Sequence, residues 1–351
     1  MVKIPTRKHF RHYIEEPARF NHVVNGVPLW RARLRAAQNL WKQRSRGLPK
    51  EIAPETAAYC FLGCKYCWLG KVGVYHHRDK KFMDFETFKT LMDQVEGWGP
   101  RITLAGTGEP LMNTSVYNMI TYASAKGLLV TLFTNAVLLN EKNRKVLLHS
   151  GLYKVCFALE ALDAATFDGI RSGEKFGVVE ENIRDFIRFK KRLGIEYPKV
   201  QLSMVLTKKN QHQADAFMEY ARAIGADSAK LKVLGIYPCA SEEFNRYVVD
   251  ELWIPEPSRF NIVDGKPDFT RIGPCPCKKG PGVVTVDGDV LLCQYDFYAE
   301  HKRGNIHEFG FTEIWDTFRG ERSRLDERRF SICDMCGDTT RRDTHREYEV
   351  A

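Results

Sequence analysis

Cys60, Cys64 and Cys67 fall within eight residues, in the run Cys60-Phe61-Leu62-Gly63-Cys64-Lys65-Tyr66-Cys67. Zinc sites usually take four ligands from paired short gaps, so three thiols spaced by three and then two residues are a poor zinc signature. On a four-iron cluster, three thiolates leave one iron without a protein ligand, where a cofactor or substrate can bind and react. Five more cysteines, Cys275, Cys277, Cys293, Cys333 and Cys336, collect toward the other end of the chain. Thiols stay reduced in the cytoplasm, so clustered cysteines there indicate metal rather than disulfides. Cys156, inside an apolar segment, reads as a small buried hydrophobe.

The elements that position these groups follow from periodicity. Short apolar or β-branched runs at 51–59, 101–105, 128–133, 154–159, 199–206 and 229–235 read as strands. Helical patterns at 85–94, 115–125, 141–149, 178–193 and 213–224 alternate with them. Six strands alternating with helices call for a parallel sheet with right-handed crossovers. The pattern alone leaves open a doubly wound sheet or a curved barrel. Both place their chemistry at the C-terminal ends of the strands, where the first cysteine group stands. After Pro238 the rhythm gives way to a loop-rich stretch, a hairpin around Asp287-Gly288-Asp289 and a short helix at 311–318. This tail is too small for much of a core of its own, and a metal cluster is a sensible staple for it.

The CxxxCxxC run, with Tyr66 before its last cysteine, resembles the hallmark motif of the radical S-adenosylmethionine (SAM) superfamily. The resemblance implies a partial (β/α)6 TIM-like barrel of α/β class, a SAM-binding [4Fe-4S] cluster on Cys60, Cys64 and Cys67, and a 5′-deoxyadenosyl radical that abstracts a substrate hydrogen atom. Ala105-Gly106-Thr107-Gly108-Glu109-Pro110 is similar to the family's Gly-Gly-Glu-Pro segment, which faces the SAM amino group. Thr134-Asn135 stands where relatives carry Thr-Asn-Gly, with Ala136 in place of the glycine. Glu160 stands where relatives have the acid of Ser-x-Asp-Gly, which contacts the ribose; the serine position is Ala158. Arg171 and Ser203 are further candidates for the SAM carboxylate. The cofactor-contact set is therefore Tyr66, Gly106, Thr107, Gly108, Glu109, Asn135, Glu160, Arg171 and Ser203.

Cys275 and Cys293 are separated by 17 intervening residues, and Cys333 and Cys336 follow as a CxxC. With Gly304-Asn305 and Ile314-Trp315 between the pairs, this resembles the twitch form of the SPASM extension, which holds one auxiliary [4Fe-4S] cluster. Either Cys275 or Cys277 can be the first ligand, and the longer gap favours Cys275. A structural zinc on two cysteine pairs is the alternative. Cys239 follows the last core strand, and a thiol there can return a hydrogen atom to a substrate radical. The resemblance thus implies either oxidative modification of a peptide or a sugar or cyclitol, with electrons passing to the auxiliary cluster, or epimerisation with Cys239 as catalytic hydrogen donor. The reading from another class is a non-catalytic iron–sulfur or zinc protein that transfers electrons. A one-electron reductant such as flavodoxin or ferredoxin is the expected partner.

Composition divides the chain into a basic arm (1–50), a core (51–237) and a cluster-binding domain (238–351). The arm holds 12 of the 53 Lys and Arg against only Glu15 and Glu16, so it carries the whole net charge of +9. Trp30, Leu34, Ala37 and Trp41 recur in it at helical spacing, which reads first as a helix packing its apolar stripe on the core. Nucleic acid is not an expected partner. No apolar run approaches the roughly 20 residues of a bilayer span, and the N-terminus lacks a secretory pattern, so a cytoplasmic location is expected.

Overall fold

A computed structural model describes residues 23–24, 27–28, 47–68, 74–237, 241–255, 261–268, 275, 277, 280–323 and 346–349. The arm helix with Trp30 and Trp41, and Cys239, Cys333 and Cys336, lie outside these residues.

Six strands form the core of the sheet: β1 (Glu51–Pro54), β2 (Arg101–Leu104), β3 (Val130–Thr134), β4 (Lys154–Ala158), β5 (Lys199–Leu206) and β6 (Ser228–Val233). Each pairs in parallel with the next in chain order. That order decides between the two architectures. A doubly wound sheet reverses its strand order at a switch point, whereas a strictly sequential order with right-handed crossovers puts every helix on one face. The helices are α1 (Phe85–Val95), α2 (Val116–Ala125), α3 (Glu141–His149), α4 (Ala164–Asp168), α5 (Phe176–Arg192) and α6 (Ala214–Ile224).

One set of alternate strand residues, including Ile102, Leu104, Leu132, Val155, Phe157 and Leu202, is fully buried and shares a core with helix residues such as Phe88, Met92, Ile183 and Phe186. The other set is more polar: Thr103, Thr131, Gln201, Ser203, Lys230 and Lys232. A sheet with helices on one face and this polar stripe on the other is the wall of a partial barrel around a lumen.

The β1 strand stops at Pro54, short of the residue 59 that its sequence suggests. The amide of Thr56 turns back to the carbonyl of Pro54 at 3.0 Å, and the chain leaves the sheet as a loop. At the other edge, β7 (Gly282–Val284), β8 (Asp289–Leu291) and β9 (Lys302–Asn305) continue the same sheet. The β7 strand pairs in parallel with β1, and β8 and β9 follow antiparallel. Helices α7 (Glu242–Tyr247) and α8 (Phe311–Ser323) lie before and after this meander. Phe311 and Trp315 of α8 join the main core, so the C-terminal meander shares the barrel's core instead of building one. At the far edge β10 (Arg346–Glu349) pairs antiparallel with β6.

Candidate active site

The loop after β1 carries the first three cysteines, and two neighbouring segments clamp it. From one side Glu109 donates its amide to the carbonyl of Tyr59 at 3.0 Å. From the other, Gly63 and Lys65 donate theirs to Ser172 and Ile170 at 3.0 and 2.9 Å, and Ser172 Oγ donates to the Gly63 carbonyl. Contact is close enough to fix two glycines. A Cβ on Gly108 would lie 2.4 Å from the Tyr59 carbonyl oxygen, and one on Gly63 would lie 2.5 Å from Ser172 Oγ. Gly108 therefore serves the cysteine loop directly. Gly106 differs: its φ is +142° and nothing lies within 4 Å of its Cβ position, so its exposed backbone is open to a ligand.

Cys60, Cys64 and Cys67 are half-buried. Burial pushes the Cys60 thiol up to about 11 and the Cys64 thiol up to about 12. Both stay protonated until metal displaces the proton. Asn135 Nδ2 lies 3.9 Å from Cys60 Sγ, and the Arg171 guanidinium acts on Cys64 in the direction that favours thiolate. Among the described residues no three acidic, His or Cys side chains converge on a single-ion site. A cluster that takes one cysteine per iron does not need them to.

Glu109 and Glu160 are both almost fully buried. The Glu109 carboxylate accepts from Leu111 N, Thr134 Oγ1 and Asn135 N at 3.0, 2.6 and 2.8 Å, which ties the ends of β2 and β3 together. Burial raises its pKa against these hydrogen bonds. Glu160 accepts from Tyr66 OH at 2.9 Å, Arg171 at 3.3 Å and Val205 N at 2.7 Å. Its carboxylate thus faces the cysteine loop and β5, and its three partners leave little capacity for a ribose. Arg171 also donates to the Ala158 carbonyl, while its buried Nε has no partner among the described residues. Ser203 is buried, and its hydroxyl donates to the Phe157 carbonyl at 3.4 Å. The Thr107 hydroxyl donates to Glu55.

Cys275, Cys277 and Cys293 are brought together in the second group, all three buried. Hydrogen bonding to both Cys275 and Cys293, together with burial, pushes the Cys277 thiol well up. Both candidates for the first ligand are therefore beside Cys293.

A cavity of about 250 Å³ lies between the barrel strands and the C-terminal segment. Ala105, Gly106 and Thr107 line it from the barrel, and Tyr295, Asp296 and Phe297, just after Cys293, line it from the C-terminal segment. Sequence reading passed over these last three residues and the buried pair Glu55–Arg78 on the same wall. The available signals were slight: Glu55 is a charged residue inside the run read as the first strand, and Tyr295 to Phe297 follow closely on a candidate ligand.

Comparison with known proteins agrees with this geometry. A family model described as radical SAM superfamily matches residues 55–221, and one described as iron–sulfur cluster-binding domain matches residues 275–338. The tungsten-containing aldehyde ferredoxin oxidoreductase cofactor-modifying protein of Pyrococcus furiosus is 24% identical over 321 residues, covering 84% of this chain and 88% of its own. Mycofactocin maturase MftC of Mycolicibacterium smegmatis is 23% identical over 317 residues, covering 85% and 78%. The crystal structure of Streptococcus suis SuiB bound to precursor peptide SuiA shares the fold, with a TM-score of 0.58 at 18% identity over 87% of this chain and 74% of that one.

Proposed function

Because the chain is a radical SAM enzyme with a C-terminal iron–sulfur cluster-binding domain, we propose that it oxidatively modifies a peptide. The carrying observation is that one cavity touches both the loop beside the first cysteine group and the residues that follow Cys293. A cluster held at Cys60, Cys64 and Cys67 together with SAM would supply hydrogen-atom abstraction, and a cluster at the second cysteine group would supply one-electron acceptor chemistry.

This chain's residues hold and orient those groups. Cys60, Cys64 and Cys67 hold the first cluster and leave one iron open. Gly106 presents open backbone, and Asn135 stands beside Cys60. Arg171 Nε is a buried donor left over for a carboxylate, which suits the carboxylate end of SAM. Glu109 acts by fixing the β2 and β3 ends, and Glu160 by fixing Tyr66 and Arg171. Cys293, with Cys275 or Cys277 and with Cys333 and Cys336, holds the auxiliary cluster. A flavodoxin or ferredoxin supplies the starting electron. The peptide reading draws support from SuiB, whose solved structure contains its precursor peptide.

The test is anaerobic reconstitution followed by SAM and dithionite. Formation of 5′-deoxyadenosine, with iron and sulfide near eight each per chain as two four-iron clusters require, supports the reading. Fully loaded protein that leaves SAM intact overturns it. Cys239→Ala separates the two outcomes of the radical: oxidation survives the change, whereas epimerisation loses its hydrogen donor.

A further inference from the structure

Lys232 is the penultimate residue of β6, at the strand end where the cysteine loop stands. It pairs with Val205 in the β5 register, on the polar face that lines the lumen. Its side chain reaches across that space. Nζ lies 4.9 Å from the ring centroid of Phe133, the penultimate residue of β3, three strands away. Phe133, Ala158, Val205 and Lys232 are only half-buried although they lie within the sheet, so the lumen is open at this level. A closed eight-stranded barrel fills the same space with packed side chains.

This ammonium has a ring beside it but no anion. Among the described residues no carboxylate is within ion-pair distance of Nζ, and Nζ makes no hydrogen bond. Glu160 attracts it from farther off. Both oxygens of that carboxylate are taken, Oε1 by Tyr66 and Arg171 and Oε2 by the Val205 amide. The β10 ladder runs beside Lys230 but ends at the Arg346–Leu231 pair, short of Lys232. Burial pulls the Lys232 pKa down from the ordinary lysine range, because no contacting carboxylate holds it up. The attraction of one aromatic face is smaller than the cost of desolvating an ammonium. The arrangement therefore calls for an anion that arrives from outside. SAM brings one carboxylate, and the buried Arg171 Nε, on the cysteine-loop side of Glu160, is the donor left over for it. Lys232 stands on the β5 side, and a second cation calls for a second anion, which the substrate must bring. The anions of an unmodified peptide are carboxylates, on Asp, Glu or the C-terminus. Phe133 directly precedes Thr134 and Asn135, and Asn135 Nδ2 lies 3.9 Å from Cys60 Sγ, so an anion held beside this ring is at the cluster end of the lumen.

We propose that Lys232 binds a carboxylate of the peptide substrate and thereby holds the carbons next to that carboxylate toward the SAM site. The proposal rests on the peptide reading above and deepens it by naming the group that the lumen recognises.

The test uses reconstituted, SAM-loaded holoenzyme under anaerobic conditions, with three probes of nearly equal size observed by saturation-transfer NMR. N-acetylglutamine amide has no carboxylate, N-acetylglutamate α-amide has one on its side chain, and N-acetylglutamine has one at its C-terminus. At least one of the two acids is expected to bind about tenfold or more tightly than the neutral probe. Which acid it is separates an acidic residue from a chain end. Lys232→Met keeps the stem and removes the charge. It is expected to abolish the preference and to leave the affinity for SAM in place, whereas Lys232→Arg is expected to keep the preference. Equal binding of the three probes, or binding of none, overturns the proposal. A preference that survives Lys232→Met also overturns it, as does a loss confined to SAM affinity, which would assign Lys232 to the cofactor. The probe comparison on the unsubstituted protein decides the matter if a variant does not load its clusters. Binding needs no turnover, so the two readings fail separately. A carboxylate preference without 5′-deoxyadenosine formation counts against the enzymatic reading alone, and 5′-deoxyadenosine formation without the preference counts against Lys232 alone.

Discussion

Ala136 has φ +63° and follows the Thr134–Asn135 pair at the end of β3. Its amide donates to Thr134 Oγ1 at 3.1 Å and its carbonyl accepts from Asn182 Nδ2 at 3.0 Å, so the turn is held from both sides. An alanine there costs about 1–2 kcal/mol relative to ordinary backbone. Glycine removes that cost but exposes the loss of one buried methyl, about 0.8 kcal/mol, and adds about 0.4–1 kcal/mol of unfolded-state entropy. The terms nearly cancel. Ala136→Gly is therefore expected to leave stability in urea unfolding almost unchanged. Ala123→Gly, at an equally buried alanine inside α2, is expected to cost about 1.5–2 kcal/mol. Glu160 gives the opposite case. Glu160→Gln keeps the size but leaves the buried Arg171 charge without its counter-ion, at a cost of about 3–5 kcal/mol. Because Tyr66 lies between Cys64 and Cys67, iron content after reconstitution should fall along with the urea midpoint. Unchanged iron content would show that Tyr66 is held by the loop alone.

At the scale of elements, α1 shows how local chemistry sets a boundary. Phe88, Leu91, Met92 and Val95 form its buried stripe, and Asp84 caps it by accepting from Thr87 N at 2.7 Å. Burial alone would raise the Asp84 pKa, but hydrogen bonds from Lys80 and Thr87 outweigh it and hold the carboxyl at about 2. A folded pKa depressed below the unfolded 3.8 contributes stability that is complete above about pH 4 and lost as pH falls toward 2. The side chain is 46% exposed, so solvent screening reduces the contribution to about 1 kcal/mol. Asp84→Ala is expected to lower the melting temperature at pH 7 and to flatten its decline between pH 4 and 2. Melting curves across that range check both. An equally steep acid limb would assign the loss to other carboxylates.

Across the whole molecule, the barrel and the C-terminal meander meet at β1 and β7, and Glu55 joins them. Its amide donates to the Val284 carbonyl at 2.8 Å, while its carboxylate takes Arg78, Thr107 and the Val286 amide. Arg78→Met would leave that carboxylate buried without its cation, again at about 3–5 kcal/mol. Hydrogen exchange should then quicken at Val284 and Val286 before it quickens in β3 to β5. Uniform acceleration would mean that the meander and barrel open as one unit.

The elements were largely legible in the sequence because period-2 and period-3.6 patterns report burial directly. The bounds of α3 and β5 match their patterns residue for residue. The β1 strand was read five residues too long, because the apolar run continues through Ala57 and Ala58, which are buried by the loop instead of by the sheet. Gly108 was read as a cofactor contact, whereas a Cβ there would meet the backbone of Tyr59 in the cysteine loop.

Cys60, Cys64 and Cys67 were legible as a candidate ligand group, since three thiols within eight residues of one loop have few ways to be apart. Strand order was not legible, because the β-α alternation suits a doubly wound sheet and a curved barrel equally. Only the tertiary structure decided what Glu160 faces, which backbone Gly108 meets, and that the C-terminal meander extends the barrel's sheet. Those are contacts between segments tens to hundreds of residues apart. Local pattern records whether a side chain is buried, but its partner is chosen by the fold.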